Sequence, residues 1–315
     1  MNEDLAGALP AQESGFRRAA KLRDAMFSMA EAASDPENAD ELAFGAKCLV
    51  SASLPYRNPR PERLVNGAWV RRNGDYTLWI QGGPQGIPYG TYPRLFIIWL
   101  TSEAIRTGSQ RLSTGGTFKE FCRKLNIDHS RGKRGQGRLL IDQADRLLSS
   151  RAAFITGDAP LEKLTRKSVD FLAFSDAYSL FFDERGDDRQ QSLFQTEIVL
   201  TDKFFKEITE HCIPLELQAV RALQQSPLEL DIYQWLAYRM YTLRAPTRPT
   251  WTQLYLQFGS GYKRLRDFRA GFLESLANVK RVYDEVRVDY NESGLILLPS
   301  PTPVAGARLQ LVGPG

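Results

Sequence analysis

The sequence predicts an α+β fold of two tandem units, each a helix-turn-helix followed by a β-hairpin, and three observations carry that expectation. Apolar residues recur at helical spacing in two separate segments, Leu95 to Ile105 and Leu228 to Leu243. Each is followed by a short capped stretch and then by a helical stretch with a basic face. After each basic stretch the apolar period changes from 3.6 to two, as paired strands require. Three helices and a two-stranded wing make the winged-helix order, in which the third helix enters a major groove of duplex DNA and the wing touches the neighbouring backbone.

At 315 residues, 43% hydrophobic and 25% charged, the chain is long enough for two ordinary domains with their own cores. The expected division is an N-terminal, partly helical arm over 1–42, a first winged-helix domain with an added hairpin over 43–213, a second over 214–300, and a flexible tail over 301–315. A net charge of +4 is too small to name a nucleic-acid partner by itself, so the distribution of charge decides more. Three cysteines without metal or redox spacing predict a reduced, cytoplasmic protein. The longest apolar run, Leu95 to Leu100, is far short of the roughly 20 residues of a membrane span, and the acidic N-terminus does not read as a signal.

In chain order, a loosely periodic helix is expected from Gly15 to Ala32, either a surface helix or an arm that dimerises or touches DNA through Arg17, Arg18, Lys21 and Arg23. Leu54-Pro-Tyr-Arg-Asn-Pro59 reads as a turn-rich link. Trp69 to Ile80 reads as a hairpin about Asn73-Gly74, with apolar side chains left exposed for self-association. The glycine-rich stretch Gly82 to Gly90 lacks the phosphate-loop arrangement, and its prolines remove backbone donors, so it is expected to be a structural loop. A helix follows through Leu95, Ile98, Trp99, Ser102 and Ile105 to Thr107-Gly108. Thr117-Phe-Lys-Glu120 is a capping box for a short helix to Leu125, and a basic-faced helix is expected over Gln136 to Ser149. Strands are expected at Ala152 to Thr156, Val169 to Phe174, Tyr178 to Phe182 and Ser192 to Leu200. Thr201-Asp202 then cap a helix, Pro214 ends the connector, and Leu215 to Leu223 forms one more helix.

In the second unit Ala245-Pro246 and Arg248-Pro249 stop the long helix. Thr250 caps a short one, and Gly259-Ser260-Gly261 makes the bend. The third helix is expected over Tyr262 to Val279, with Leu265, Phe268, Phe272, Leu276 and Val279 inward. Val286 to Tyr290 and Leu295 to Leu298 form the hairpin.

Catalytic chemistry has little material. His129 and His211 are the two histidines and lie far apart, no Walker motif occurs, and Glu103 and Asp231 read as caps or surface groups rather than catalytic acids. The expectation is a protein that is not an enzyme and needs no cofactor or metal. The tryptophans Trp79, Trp99, Trp235 and Trp251 sit at core spacing beside Leu and Ile.

Several blocks of the sequence resemble one family. Leu54-Pro-Tyr-Arg-Asn-Pro59, Pro88-Tyr-Gly-Thr-Tyr-Pro-Arg-Leu95 and Trp99-Leu-Thr-Ser-Glu-Ala-Ile-Arg-Thr107 in the first unit are similar to the RepA family of plasmid replication initiators. So are Leu228 to Arg239, Trp251-Thr-Gln-Leu, Gln257-Phe-Gly259, Phe268-Arg-Ala-Gly-Phe-Leu273 and Gly294-Leu-Ile-Leu-Leu-Pro-Ser300 in the second. The pattern departs from the family's in the Asp128 to Arg138 loop and at Ala144. The resemblance implies an origin-binding protein that recognises repeated duplex DNA sites, recruits the host replication initiator and helicase, and can form a homodimer. The rival functions are a winged-helix transcriptional repressor, its own promoter included among its targets, and an interaction scaffold without DNA.

The residues expected to contact DNA cluster at the start of each third helix, where a cation can reach phosphates or guanine edges. They are Lys133, Arg134, Gln136 and Arg138 in the first unit, and Tyr262, Lys263, Arg264, Arg266 and Arg269 in the second.

Overall fold

The structure is a computed structural model that describes residues 42–113, 123, 127, 135–157, 167–180 and 197–304. The arm helix expected within 1–42, the Thr117 capping box, His129, Lys133, Arg134 and most of the tail lie outside the described residues.

The described chain is mixed α/β. It runs β1 (Leu42–Ala46), β2 (Ala68–Asn73), β3 (Tyr76–Gln81), α1 (Thr91–Thr107), β4 (Arg111–Ser113), α2 (Gln136–Leu148), β5 (Arg151–Gly157), β6 (Lys167–Ala173), β7 (Ser175–Ser179) and β8 (Glu197–Leu200). It continues through α3 (Asp202–Glu210), β9 (Cys212–Glu216), α4 (Leu217–Leu223), α5 (Pro227–Thr242), α6 (Trp251–Phe258), α7 (Leu265–Val282), β10 (Val288–Tyr290) and β11 (Leu295–Leu297). Short 3₁₀ turns lie at Lys47–Leu49, Pro61–Arg63 and Gly259–Gly261.

Local signals account for most boundaries. Gly108 takes the left-handed conformation, φ 62°, that ends α1, and its N–H bonds the carbonyl of Ala104. The Thr201 and Ser226 side chains cap α3 and α5. Thr250 and Gln253 complete a reciprocal capping box on α6, which satisfies two donors that the first turn would otherwise leave unpaired.

The hairpin expected about Asn73-Gly74 forms with Ala68 opposite Gln81, but its surroundings differ from the expectation. Strand β3 is interior, with β5 on its other side, in the antiparallel order β2-β3-β5-β6, while β2 packs against α6. Trp69, Leu78 and Ile80 are therefore buried rather than presented for self-association. The exposed aromatic of this sheet is Phe171, 66% exposed, on the outer strand β6. A second sheet has the order β4-β8-β7. Its last strand covers Ser175 to Ser179, three residues before the expected one, with a bulge between Ser175 and Ala177 where the Ser175 hydroxyl donates to the Leu148 carbonyl.

Pro214 does not end the connector. It lies within β9, which runs antiparallel to β1 with Phe44 opposite Pro214. A proline has no N–H to give to a ladder, and in a two-stranded pair that deficit can face away from the partner. The glycine-rich loop closes on itself through a Gly83–Gly86 bridge. A Cβ at Gly83 would fall 2.2 Å from the Ser149 Oγ at the end of α2, so the glycine is needed for that close approach.

The two units share one continuous core. It runs from Leu78 and Ile80 of the sheet through Phe96 and Leu100 of α1 to Leu236 and Met240 of α5 and Phe268 and Phe272 of α7. At the junction, Arg71 Nη2 donates to the Tyr255 carbonyl at 2.5 Å and Gln257 Nε2 to the Val50 carbonyl at 2.8 Å. The hairpin thus rests on the second unit through the Arg71 hydrogen bond as well as apolar contact.

Candidate nucleic-acid interface

The second unit positions its basic residues by a sequence of helix, bend, helix and hairpin. Helix α7 packs on α5 and α6, and Phe268, Phe272, Leu276 and Val279 are buried as their spacing requires. Leu265 is an exception at 41% exposed. The helix begins three residues later than the spacing suggests, because Tyr262 N–H closes the 3₁₀ turn on the Gly259 carbonyl and Tyr262 and Arg264 are extended. Tyr262, Lys263 and Arg264 accordingly form the approach to α7, with Arg264 in the cap position.

Tyr262 turns back over the helix. Its ring meets Phe268 edge-on at 5.6 Å between centroids, and a Cβ at Gly271 would lie 2.3 Å from its hydroxyl. Glycine inside this helix makes room for the tyrosine. The Tyr262 hydroxyl pKa is raised, chiefly by this partial burial and secondarily by Glu274, with Arg57 opposing. Lys263, Arg264 and Arg266 are exposed. Asp267 lies between the two arginines: Arg264 Nε donates to it at 2.7 Å and Arg266 Nε at 3.4 Å. Hydrogen bonding from Arg264, then the charges of Arg264 and Arg266, hold the Asp267 carboxyl below its usual range.

Arg269 is occupied differently. Its guanidinium lies 5.1 Å from the centre of the Trp251 ring, and its Nη2 donates to the Asn291 carbonyl at 3.4 Å. Trp251 Nε1 donates to the same carbonyl at 3.0 Å. Arg269 therefore fastens α7 to the turn of the β10-β11 hairpin. That hairpin gains a third chain segment, since Thr247 pairs with Leu297 in both directions and the Pro249 carbonyl accepts from the Leu295 N–H at 3.0 Å.

In the first unit, Gln136 and Arg138 open α2, whose residues Leu140, Ala144, Leu147 and Leu148 are buried as expected. Arg138 is exposed. Gln136 lines a cleft of about 350 Å³ between α2, the start of α1 and the 54–64 segment.

Two groups expected to be caps or surface residues are instead held by arginines, Asp231 half-buried and Glu103 buried. Asp231 receives two hydrogen bonds from Arg94, and Glu103, 9% exposed, pairs with Arg106 along α1. Among the described residues no group of three His, Cys, Asp or Glu side chains is arranged to hold a metal. No described helix is long and apolar enough to cross a membrane.

Residues 87–253 match the family model described as "Plasmid encoded RepA protein". Two solved structures of RctB domains 2 and 3 superpose on the chain at 11% sequence identity each. One covers 84% of this chain and 99% of its own with a TM-score of 0.48, the other 79% and 93% with 0.42. No curated protein matches the sequence.

Proposed function

From the premise that the chain belongs to the plasmid-encoded RepA family of replication initiators, we propose that it acts as a pair of winged-helix domains, over 43–213 and 214–300, binding repeated duplex sites at a plasmid origin. The observation that carries this reading is the exposed row Lys263, Arg264 and Arg266 at the start of α7, beside a hairpin tied to the same helix by Arg269. A recognition helix meets base edges with its first residues and phosphates with later ones. Arg266 is the base-reading candidate in this scheme and Arg269, a turn later, the backbone contact, with Lys263 and Arg264 on the approach to the helix. Gln136 and Arg138 hold the equivalent place on α2, with Lys133 and Arg134 just before it in sequence.

The reading includes recruitment of the host initiator and helicase at the origin and self-association into a homodimer. No step in it is catalytic. A repressor acting on its own promoter would use the same surface, and the arrangement of sites separates the two: direct repeats beside an AT-rich tract for an initiator, a lone inverted repeat for a repressor. Footprinting on the DNA that flanks the gene tests the proposal. Protection of repeated sites in the presence of EDTA and without ATP is the expected result, and an absolute need for metal or nucleotide overturns it.

A further inference from the structure

The segment between β1 and β2 reads in sequence as a plain link, yet it runs past the bend that leads into α7. Residues 54–64 carry three exposed arginines, Arg57, Arg60 and Arg63. Both ends of the segment are fixed. Arg94 Nη2 donates to the Leu54 carbonyl at 2.7 Å, the Gly90 N–H donates to the Pro55 carbonyl at 2.9 Å, and the Arg94 guanidinium stacks 5.1 Å from the centre of the Tyr56 ring. At the far end Arg63 Nη1 donates to the Ser260 carbonyl at 3.4 Å, in the bend that leads into α7. Between these points a side chain at Gly261 would begin 3.8 Å from the Tyr56 ring, so the segment runs past the bend at van der Waals distance.

The side chains follow from that path. Pro61–Arg63 is a 3₁₀ turn with Arg60 in its cap position, and residues three apart on such a turn project from one face. Arg60 and Arg63 therefore project together, with Arg63 against the bend before Lys263. Arg57 lines the cleft that also contains Gln136 and Leu139 of α2, so it lies between the start of one candidate recognition helix and the approach to the other. Glu62 is the acid on this turn, offset from the Arg60–Arg63 face.

Resting on the DNA-binding reading above, we propose that Arg57, Arg60 and Arg63 are phosphate contacts. They form a basic strap that carries the backbone of the DNA bound at α7 across toward the first unit. Duplex DNA fits this surface better than an acidic protein does, because the strap is a row of exposed arginines that ends at the bend before Lys263, Arg264 and Arg266. Fork-shaped donors in a row match regularly spaced phosphates.

The experiment compares wild type, the triple variant Arg57→Gln/Arg60→Gln/Arg63→Gln and Arg266→Ala. Each is titrated with the footprinted duplex and with a random-sequence duplex at several salt concentrations. Each phosphate contact contributes about 0.9 to the slope of log affinity against log salt, so the triple variant is expected to lower that slope by about two to three units on both duplexes. The ratio of the two affinities should stay within about twofold of wild type. Replacing the three arginines with lysine should restore most of the slope, since charge is retained. The double variant Arg57→Gln/Arg60→Gln leaves the Arg63–Ser260 bond intact and should lose about two units, which guards against a folding defect in the triple.

An unchanged slope in the triple variant, with Arg266→Ala still relaxing base preference, overturns the strap and leaves the α7 reading standing. A loss of discrimination in the triple equal to its loss of affinity overturns it too, because the strap would then act by holding α7. Absence of DNA binding by the wild-type protein overturns the functional reading itself.

Discussion

The guanidinium of Arg94 holds the carboxylate of Asp231 by two parallel bonds, Nε to Oδ1 at 2.7 Å and Nη2 to Oδ2 at 2.8 Å. Arg94 belongs to α1 and Asp231 to α5, so the pair joins the long helices of the two units. Its side chains are 4% and 11% exposed. Arg94 also donates to the carbonyls of Gly90, Pro55 and Leu54, which leaves few of its donors unsatisfied in a buried setting.

Breaking this pair on one side should be costly. A buried charge left without its partner costs about 3–5 kcal/mol, and Asp231→Ala leaves the Arg94 guanidinium in that state. The expected outcome is a loss of that size in denaturant unfolding, read at constant m. The double variant Arg94→Met/Asp231→Leu should recover part of it, since no charge is then stranded; a double variant as unstable as the sum of the singles refutes the coupling.

Arg266→Ala and Arg269→Ala should differ in kind. Arg266 is 75% exposed on its side chain and held only at 3.4 Å by Asp267, so its removal should leave thermal stability unchanged within about 0.5 kcal/mol. It should also relax preference at one base position by about 1–3 kcal/mol. Arg269 stacks on Trp251 and bonds Asn291, so its loss should loosen the hairpin as well as weaken binding to every sequence alike. Isotherms on single-base variants, with melting curves beside them, distinguish these results, and Asp267→Asn should strengthen binding by freeing Arg264 and Arg266.

Gly294→Ala tests the junction between the hairpin and the segment before α6. A Cβ at this position would lie 2.1 Å from the Pro249 carbonyl oxygen and 2.8 Å from the Thr250 Cα, both backbone atoms. Relief requires the two strands to separate, which also strains the Trp251 N–H bond to the Ser293 carbonyl. The expected loss is about 1–3 kcal/mol or more. Faster amide exchange at Leu295 and Leu297 should accompany it, and unaltered exchange there refutes the account.

Cys212 should be slow to react in the folded protein. Burial pushes its thiol up to about 12, and the thiolate is the nucleophile. At pH 8 roughly one such thiol in ten thousand is ionised, against roughly a quarter for a free thiol with a pKa of about 8.5. Burial raises Cys48 further still. In a Cys122→Ser background, both remaining thiols should resist an aromatic disulfide reagent at pH 8 until denaturant is added, and rapid reaction of the native protein counts against the burial.

The sequence by itself determined the local elements. Helical spacing located α1, α2, α5 and α7. The caps at Thr201 and Thr250 are side chains that bond their own backbone, and period-two patterning with Asn73-Gly74 located the β2-β3 hairpin. Each of these depends on neighbours within a few residues, which is why they are legible in one dimension. The tertiary structure decided what those elements meet. It put the β2-β3 hairpin inside a sheet and against α6, so that its apolar face is buried, and it drew Pro214 into a strand paired with Leu42–Ala46. It paired Asp231 and Glu103 with arginines, folded Tyr262 back over Gly271, and laid the segment of Arg57, Arg60 and Arg63 beside the bend that leads into α7. These outcomes depend on contacts between residues far apart in the chain, such as the 137 positions separating Arg94 from Asp231. No local periodicity encodes such a pairing, because the energy that selects it is the burial of surfaces that meet only when the whole chain has folded.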